Sequence, residues 1–509
     1  MVPFLLHILK LSILKVMKRL FFFGVLAVLA LGAAAQPTMP TFRFGEMNKG
    51  VDYLMSHNSR IISDQGGELL IATWETKGIL GSIIPWGLQV LAVDTNMKVL
   101  RHVLLPDTKR SKLVFANYVE GKVYLLYRGE FVADYHRVVI DPRSMAIESC
   151  ERVFDSLPGM YCWTAKSDNG LFYALADVFV HPVSKEAGHR QMLLDEKLEV
   201  LWEKRFEANM ISNLRVSDDG EVYLFGSRYD KNSRETIVAV HMLDVDDEKS
   251  AVGRVSIGEV HGLTLLNIVG GKAVAAGYIR TPESPKNKDC FDRMLGVSLD
   301  LRTGDLKTQT VRFTSDELNV FGNKSTKKEN KVGMADALVM VNSVGTNYGG
   351  VLLLQRVWKV TTHSTKTPDV HDYFTMGSLA LAVDTTGTII WHKPFRTVNV
   401  ERTGQACDIP CYGDAPMVAK GDDVYVMLPE PSKTPETYDI ASPGTRIMLG
   451  NRAHAFVVYG IDRQGTVAKR VAVKKDNGSL MDNWVRMAPN KYIGIYSFRK
   501  KSALVHVSF

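Results

Sequence analysis

The sequence predicts an all-β protein, a β-propeller of four-stranded antiparallel blades, with eight blades as the preferred count and seven as the alternative. Three observations predict this fold. Short segments rich in β-branched and aromatic residues recur along the chain, each bounded by turn residues. The segments group in fours, with one group in roughly every 50–75 residues, a period typical of propeller blades. An aspartate recurs at the end of the third segment of each group.

The clearest unit spans residues 212–257. It reads NLRVS, a turn at Asp218-Asp219-Gly220, then EVYLFGSR, TIVAVHML and AVGRVSI. We label the four strands of each unit A to D. The A–B turns are short in every unit except one, where residues 342–350 predict a longer connection. Six other units repeat the pattern, and their A strands read RIIS, KLVFANYV, YCWTAKS, LTLLNIV, ALVMVNSV and PMVAK.

Each C strand ends on an aspartate, which indicates a shared turn. An aspartate side chain accepts hydrogen bonds from nearby backbone N–H groups and so starts a tight C–D hairpin. Glycine follows at Gly304, Gly387 and Gly465, where a positive φ is expected. We therefore interpret these aspartates as turn formers and not as catalytic acids. They are Asp94, Asp141, Asp195, Asp244, Asp300, Asp384 and Asp462.

The end of the chain predicts how the ring closes. After the seventh unit come NWVRMAP, KYIGIYSF and ALVHVSF, which supply strands A, B and C but no D. Residues 41–44, TFRF, resemble the D strand TVRF at residues 310–313. We expect residues 41–47 to complete the last blade in a 3+1 closure, which makes eight blades and leaves no open sheet edge.

The C–D hairpins resemble those of extracytoplasmic bacterial propellers of the quinoprotein-like and WD-like superfamily. The segment Ala382-Val383-Asp384-Thr385-Thr386-Gly387 leads to Trp391, and Asp195 leads to Trp202. Only these two units carry the tryptophan, and the spacing from aspartate to tryptophan is one residue short. The resemblance therefore implies the fold alone. It implies no quinone site, and the cofactor is left unknown.

Residues 17–35 have the pattern of a secretory signal peptide. A basic start, MKR, precedes the apolar stretch LFFFGVLAVLAL and an A-x-A site, so we expect cleavage after Ala35. We interpret residues 1–16 as an upstream mis-start; the alternative is a longer, uncleaved N-terminal anchor. Residues 36–509 then form a single β-propeller domain without a membrane span, periplasmic or secreted.

Charge and cysteine content limit the classes of partner. The formal net charge is +7, and residues 1–35 contribute four of these positive charges and no acid. No basic stripe of the kind that nucleic-acid binding needs is present, so we expect no nucleic-acid partner. Cys407 and Cys411 lie close enough in sequence for a local disulfide. Cys150 and Cys162 are a second pair that could bridge neighbouring strands.

The long insertions all fall at B–C or D–A connections, which lie on one face of a propeller. Long loops in a compact domain are typical of binding sites. We therefore predict a recognition face formed by the insertions, the largest of which come from units five to seven. They are the segments 75–86, 178–188, 281–289, 314–336, 360–377, 396–414 and 430–452.

The candidate ligand-face residues lie on these segments. A histidine and carboxylates on segment 360–377 could bind a metal or transfer protons, and solvated loop residues are the alternative. Trp86 and Tyr412 could stack on a sugar or peptide or could pack the loops, and Asp414 could line the central channel. On segment 360–377 the candidates are His363, Asp369, His371, Asp372 and Tyr373.

Three hypotheses for the function follow. The first is a secreted or periplasmic binding or scaffold protein that recognises an envelope protein, a peptide or a glycan through the insertion-bearing face. The second is a carbohydrate-active or quinone- or metal-dependent enzyme with its site at the channel mouth on the same face. The third is a structural envelope component. No nucleophile-elbow, zinc-protease, P-loop or calcium-loop motif is present, so the first hypothesis leads.

Overall fold

The structure is a computed structural model and describes most of the chain from residue 37 onward. Among the described residues, no helix has the length and apolar character to cross a bilayer. The predicted signal peptide lies outside the described residues. The described ranges are 37–46, 48–49, 60–79, 82–108, 111–129, 134–155, 161–180, 187–206, 212–245, 247–280, 290–321, 334–335, 338–362, 370–403, 417–431, 438, 454–476, 479–480, 485–488, 491–498 and 501–509.

The described residues form eight antiparallel sheets, each with four principal strands, which are the blades of a β-propeller. In order from A to D, the strands of blade 1 are Arg60–Asp64, Glu68–Ile79, Ser82–Asp94 and Val99–Leu104, and those of blade 2 are Lys112–Val119, Lys122–Arg128, Asp134–Asp141 and Ala146–Asp155. The strands of blade 3 are Tyr161–Lys166, Tyr173–Val180, Ala187–Leu194 and Val200–Phe206, and those of blade 4 are Asn213–Val216, Val222–Asp230, Glu235–Leu243 and Glu248–Val255.

The next three blades follow in chain order, and the eighth takes its D strand from near the N-terminus. In the same order, the strands of blade 5 are Glu259–Val269, Lys272–Arg280, Arg293–Asp300 and Leu306–Arg312, and those of blade 6 are Leu338–Thr346, Gly349–Thr362, Val370–Asp384 and Ile389–Thr403. The strands of blade 7 are Met417–Lys420, Asp423–Pro431, His454–Ile461 and Val467–Asp476, and those of blade 8 are Val485–Ala488, Lys491–Phe498, Lys501–Ser508 and Thr41–Phe44.

Four short strands and one helix complete the described structure. Asn48–Lys49 and Ser479–Leu480 pair with the sheet of blade 8. Cys290–Phe291 pairs with Met334–Ala335 as a two-stranded ribbon. Helix α1 (Ser315–Val320) lies between blades 5 and 6.

The core lies between neighbouring blades. Strands B and C have a blade on each side, so they are apolar on both faces; Val351, Leu352, Leu353 and Leu354 are all fully buried in succession. Alternate members of this run pack toward blade 7 and toward blade 5. Because every blade buries both of its faces in this way, the repeated unit is stable only within a closed ring.

The ring closes as the sequence predicts, with eight blades. Thr41–Phe44 pairs antiparallel with the last strand of the chain, with Thr41 opposite Ser508 and Phe44 opposite Val505. Tyr425 of blade 7 donates a hydrogen bond to the Thr38 carbonyl, 3.0 Å away, and so holds the segment before this strand. Blade 8 packs on blade 1 through a shared apolar cluster.

The C-strand aspartates are turn formers, as predicted. Asp384 Oδ1, for example, accepts hydrogen bonds from the backbone N–H groups of Thr386 (2.8 Å) and Thr388 (3.0 Å). All seven aspartates accept at least one backbone N–H within their own hairpin. Gly304, Gly387 and Gly465 have φ of 78°, 81° and 79°, which confirms the predicted positive φ.

Three other C–D hairpins reach the same left-handed conformation with large side chains, which the sequence does not reveal. Met97, Met145 and Leu198 have φ of 61°, 56° and 59°. This conformation costs about 1–2 kcal/mol for a non-glycine residue. Each side chain is buried against the preceding blade, which contributes about 1.5–3 kcal/mol. Burial therefore offsets the backbone strain.

One predicted connection is wrong. The A–B connection of blade 6 was expected to be long, but strand A continues to Thr346 and strand B begins at Gly349. Only Asn347 and Tyr348 join them, and Tyr348 is buried. The paired glycines 349 and 350 are typical of a loop, yet here they begin a central strand, where Gly350 packs closely against Leu266 of blade 5 and Gly349 against Val383 of its own blade.

Candidate functional site

The two faces of the propeller differ in how far the strands extend. We call the face with the B–C and D–A connections the insertion face, and the other the turn face. On blade 6, strands B, C and D are 14, 15 and 15 residues long, against 9, 9 and 8 on blade 4. Six additional residues extend a strand by about 20 Å. The extra length forms a three-stranded projection on the insertion face, which we call the tongue: residues 357–362, 370–376 and 398–403.

The tongue corrects the prediction of a loop at residues 360–362 and 370–377, which belong to strands B and C, whereas residues 363–369 lie outside the described residues. Its middle strand places His371 opposite both Thr361 and Thr403. Asp372 and Tyr373 follow on the same strand, one and two positions closer to the propeller body. The segment resembled a loop because polar residues outnumber apolar ones along it. The other two candidates on this segment, His363 and Asp369, lie outside the described residues.

Helix α1 supports the base of the tongue from the side of blade 5. Its capping box joins Thr314 and Glu317: the Thr314 N–H donates to Glu317 Oε2 at 2.6 Å, and the Glu317 N–H donates to Thr314 Oγ1 at 3.3 Å. Glu317 is 1% exposed, and its Oε1 is also bonded to Nδ1 of His392 on strand D of blade 6. A buried carboxylate with these partners fixes the helix to the blade.

Gly377 marks the point where the middle strand leaves the body and passes helix α1. It lies at a register shift and has φ of 72°. A Cβ at this position would lie 2.5 Å from the carbonyl oxygen of Val320, the last residue of the helix. Only glycine therefore permits this contact between helix and tongue.

Tyr438 supports the base of the tongue from the side of blade 7. It comes from the insertion between strands B and C of that blade, and its hydroxyl donates to the Pro394 carbonyl at 3.0 Å. The ring packs against Phe395 and Tyr459, with centroids 5.8 and 5.9 Å away. Burial raises the pKa of Tyr438, so it remains a neutral donor. Insertions from blades 5, 6 and 7 thus meet at one place.

Blade 1 carries a smaller projection on the same face. Segment 75–86 was predicted to be a loop, but strands Glu68–Ile79 and Ser82–Asp94 pair through it, as far as Ile79 opposite Ser82. Trp86 is the unpaired residue at a register shift, because Glu75 pairs with Gly87 and Thr76 with Pro85. A bulge of this kind redirects a strand locally. Trp86 therefore lies at the base of this arm.

The predicted Cys150–Cys162 bridge is wrong. Both thiols are free. Cys150 lies on the outermost strand of blade 2 and Cys162 on the innermost strand of blade 3, so they are at opposite radial positions. Burial raises the pKa of Cys162 to about 11, which keeps it a thiol. Four other predicted residues lie outside the described residues: Cys407, Cys411, Tyr412 and Asp414.

Buried ion pairs near the insertion face were not foreseen from the sequence. In blade 3, Arg190 Nη2 lies 2.7 Å from Asp177 Oδ2, and both residues are buried. In blade 7, Lys469 Nζ lies 2.8 Å from Glu430 Oε2, and both side chains are buried. These pairs neutralise charge within a blade. Among the described residues, no group of three or more His, Cys, Asp or Glu side chains could hold a metal ion.

Comparison with known proteins found distant matches among solved structures only. No protein-family model matches the chain, and no curated protein matches it. Solved structures that match include the WD40 domain of SCAP from fission yeast (8% identity, 93% of this chain and 97% of that chain, TM-score 0.32). Others are the Dos1 propeller (10%, 91% and 94%, 0.41) and the Pseudomonas aeruginosa periplasmic gluconolactonase PpgL (14%, 80% and 97%, 0.30). The chain is an eight-bladed β-propeller, similar to these structures in fold alone.

Proposed function

We propose that this protein is an extracytoplasmic binding protein that recognises an envelope protein, a peptide or a glycan through the insertion face of blades 5 to 7. The observation that carries the proposal is the tongue with its two supports, helix α1 and Tyr438. A projection that recognises a partner needs a rigid base, because ordering it on binding would cost free energy. The buried contacts of Glu317 and Tyr438 supply such a base.

The proposed location rests on the signal-peptide pattern of residues 17–35. Fractionation of cells that express the whole chain tests it. We expect the protein in the periplasm or the medium, with Gln36 as its first residue. A cytoplasmic protein that retains residues 1–35 would contradict the location.

Site-specific photocrosslinking tests the recognition face. A photoreactive amino acid replaces Thr361, at the outer part of the tongue, or Asp219, in an exposed A–B turn on the turn face of blade 4. We expect crosslinked products in cells or with immobilised glycans from position 361 and not from position 219. Equal products from both positions, or products from position 219 alone, would reject the proposal.

A shortened tongue adds a functional control. In one variant, Asn-Gly replaces residues 358–374 and joins Val357 to Thr375, which already face each other in the sheet. The matched variant shortens the blade 1 arm by replacing residues 77–84 between Thr76 and Pro85, which are also paired. We expect the first variant to lose the partner and the second to retain it.

A further inference from the structure

The wall of the central channel carries three cationic side chains. The A strands of neighbouring blades contact one another around the ring and form this wall. Arg60 belongs to strand A of blade 1, Lys166 to strand A of blade 3 and Arg215 to strand A of blade 4. They lie apart from the tongue, and Lys166 and Arg215 are close to the A–B turns of the turn face.

Arg215 lies along the channel wall. Its Nη2 donates to the Leu266 carbonyl of blade 5 at 3.3 Å and to Ser343 Oγ of blade 6 at 3.0 Å. A side chain of blade 4 that reaches blade 6 must pass in front of the A strand of blade 5. Its buried Nε has no hydrogen-bond partner among the described residues.

Arg60 likewise donates a hydrogen bond to a backbone carbonyl of a neighbouring blade. Its Nη1 donates to the Val114 carbonyl of blade 2 at 2.5 Å. Val114 and Leu266 each occupy the extra position at a register shift between strands A and B. The residue at such a bulge is unpaired in the ladder, so its carbonyl is available to a side chain. The two guanidinium groups are thus fixed by backbone carbonyls.

Lys166 is the most exposed of the three cationic residues, since Arg60 and Arg215 are half-buried. Its Nζ lies 5.2 Å from the centre of the Tyr173 ring. Tyr173 is itself buried, and its hydroxyl has no partner among the described residues. The Lys166 ammonium is therefore held against an aromatic face at the channel wall and is not paired with a carboxylate.

The charges of these three side chains are not neutralised. Within the described part of the chain none of them forms an ion pair, and Asp168 is the acid that acts on Arg215 at longer range. Burial lowers the pKa of Arg60, Lys166 and Arg215, and the positive charge of Arg60 lowers that of Lys166 further. Asp168 offsets part of the charge of Arg215, whereas no acid forms an ion pair with Arg60 or Lys166 among the described residues. Two neighbouring cations in a protein wall are unfavourable until an anion joins them.

We propose that the central channel binds an oxyanion group, a carboxylate, phosphate or sulfate, held by Lys166 together with Arg60, with Arg215 farther along the same wall. Guanidinium and ammonium groups donate several charge-assisted hydrogen bonds to such oxygens. The proposal is independent of the tongue, because the three side chains come from blades 1, 3 and 4.

Calorimetric titration of the purified protein tests the site with three probes: inorganic phosphate, inorganic sulfate and an oligogalacturonate. We expect saturable binding of at least one probe, and binding should weaken as sodium chloride is raised. Preference for the oligogalacturonate would identify an acidic glycan as the source of the carboxylate, and preference for a free ion would identify a small solute.

Lys166→Gln is the discriminating variant, because Lys166 makes no buried hydrogen bond with any residue that the structure describes. We expect about tenfold weaker binding, the effect of losing one charge-assisted contact. The matched control is Lys122→Gln, an exposed lysine at an A–B turn that pairs with Glu148, and it should bind like the wild type. Arg60→Lys should also weaken binding, because it retains the charge but loses the guanidinium fork.

The melting temperature without ligand separates binding from a structural role. If Lys166 is repelled by Arg60, Lys166→Gln should melt at the same temperature as the wild type or higher. A lower melting temperature with unchanged affinity would show a structural role and overturn the proposal. The absence of saturable binding of all three probes to the wild type would overturn it as well.

Discussion

Blades 4 and 6 share one plan on the turn face and differ on the insertion face. Asp244 and Asp384 each begin a C–D hairpin in which the carboxylate accepts a backbone N–H. On the insertion face, blade 4 ends in a short connection in which Asp230 accepts bonds from Asn232 N–H and Ser233 Oγ, whereas blade 6 continues into the tongue. The turn face thus carries the features that repeat, and the insertion face those that differ.

The difference has a physical basis in the supports at the base of the tongue. A projecting sheet has little core of its own, so its stability depends on contacts where it leaves the body. Blade 6 receives helix α1 on one side and Tyr438 on the other. Blade 4 has no comparable support among its described residues, and its strands B and C end with the body.

The largest expected effect comes from removing the helix support. Glu317→Ala deletes a buried carboxylate that binds His392 and the Thr314 N–H, and leaves both without an acceptor. We expect the free energy of unfolding to fall by about 2–3 kcal/mol. Hydrogen exchange should also quicken in strands Val370–Asp384 and Ile389–Thr403 and remain unchanged in blade 4.

Two matched variants define this effect. Glu317→Gln keeps an acceptor of the same length and should lose less stability. Asp316→Ala changes an exposed acid in the same turn of the helix and should stay within about 0.5 kcal/mol of the wild type. If Glu317→Ala left exchange in the blade 6 strands unchanged, the helix would not support the tongue.

The turn face offers an intermediate effect, because the aspartates differ in how many bonds they accept. Asp384 Oδ1 accepts three hydrogen bonds, from the N–H groups of Thr386 and Thr388 and from Thr386 Oγ1. Asp244 Oδ1 accepts one from the described residues, which do not include residue 246, and the donor is the Val245 N–H. We expect Asp384→Ala to cost about 1–2 kcal/mol and Asp244→Ala about 0.5 kcal/mol, measured by urea unfolding. Equal losses would mean that the hairpin aspartates do not act through these bonds.

The C–D hairpins of the turn face could be predicted from the sequence because the residues that determine each hairpin are close together in the chain. An aspartate at the end of a C strand and a glycine three or four residues later determine a hairpin by themselves. The left-handed conformation of Met97 and Leu198 could not be predicted in this way, because a methionine or leucine adopts it only where a neighbouring blade buries the side chain.

The insertion face and the channel could not be predicted to the same extent because their determinants are distant in sequence. The strand around His371 resembles a loop until its partners across the sheet are known. Glu317 meets His392 from 75 residues away. Arg215 meets Ser343 from 128 residues away. No local pattern contains these contacts.

The smallest expected effect concerns Asp423, whose carboxylate lies near other carboxylates on the turn face. On the turn face of blade 7, burial and the nearby carboxylates of Asp462 and Asp422 raise the pKa of Asp423. The folded protein then binds this proton more tightly than the unfolded chain does. Ionisation of Asp423 therefore reduces stability as the pH rises through the raised pKa.

Asp423→Asn removes this ionisation and retains a hydrogen-bond acceptor. We expect the variant to be more stable than the wild type at pH 7, by less than about 1 kcal/mol because the site is partly solvated. The gain should shrink as the pH falls toward about 3.9, where the carboxyl is protonated in the unfolded chain as well. Urea unfolding at several pH values between 4 and 8 measures the difference. A gain that is constant over this range would reject the ionisation of Asp423 as its cause, while Asp219→Asn in the exposed turn of blade 4 should show no gain at any pH.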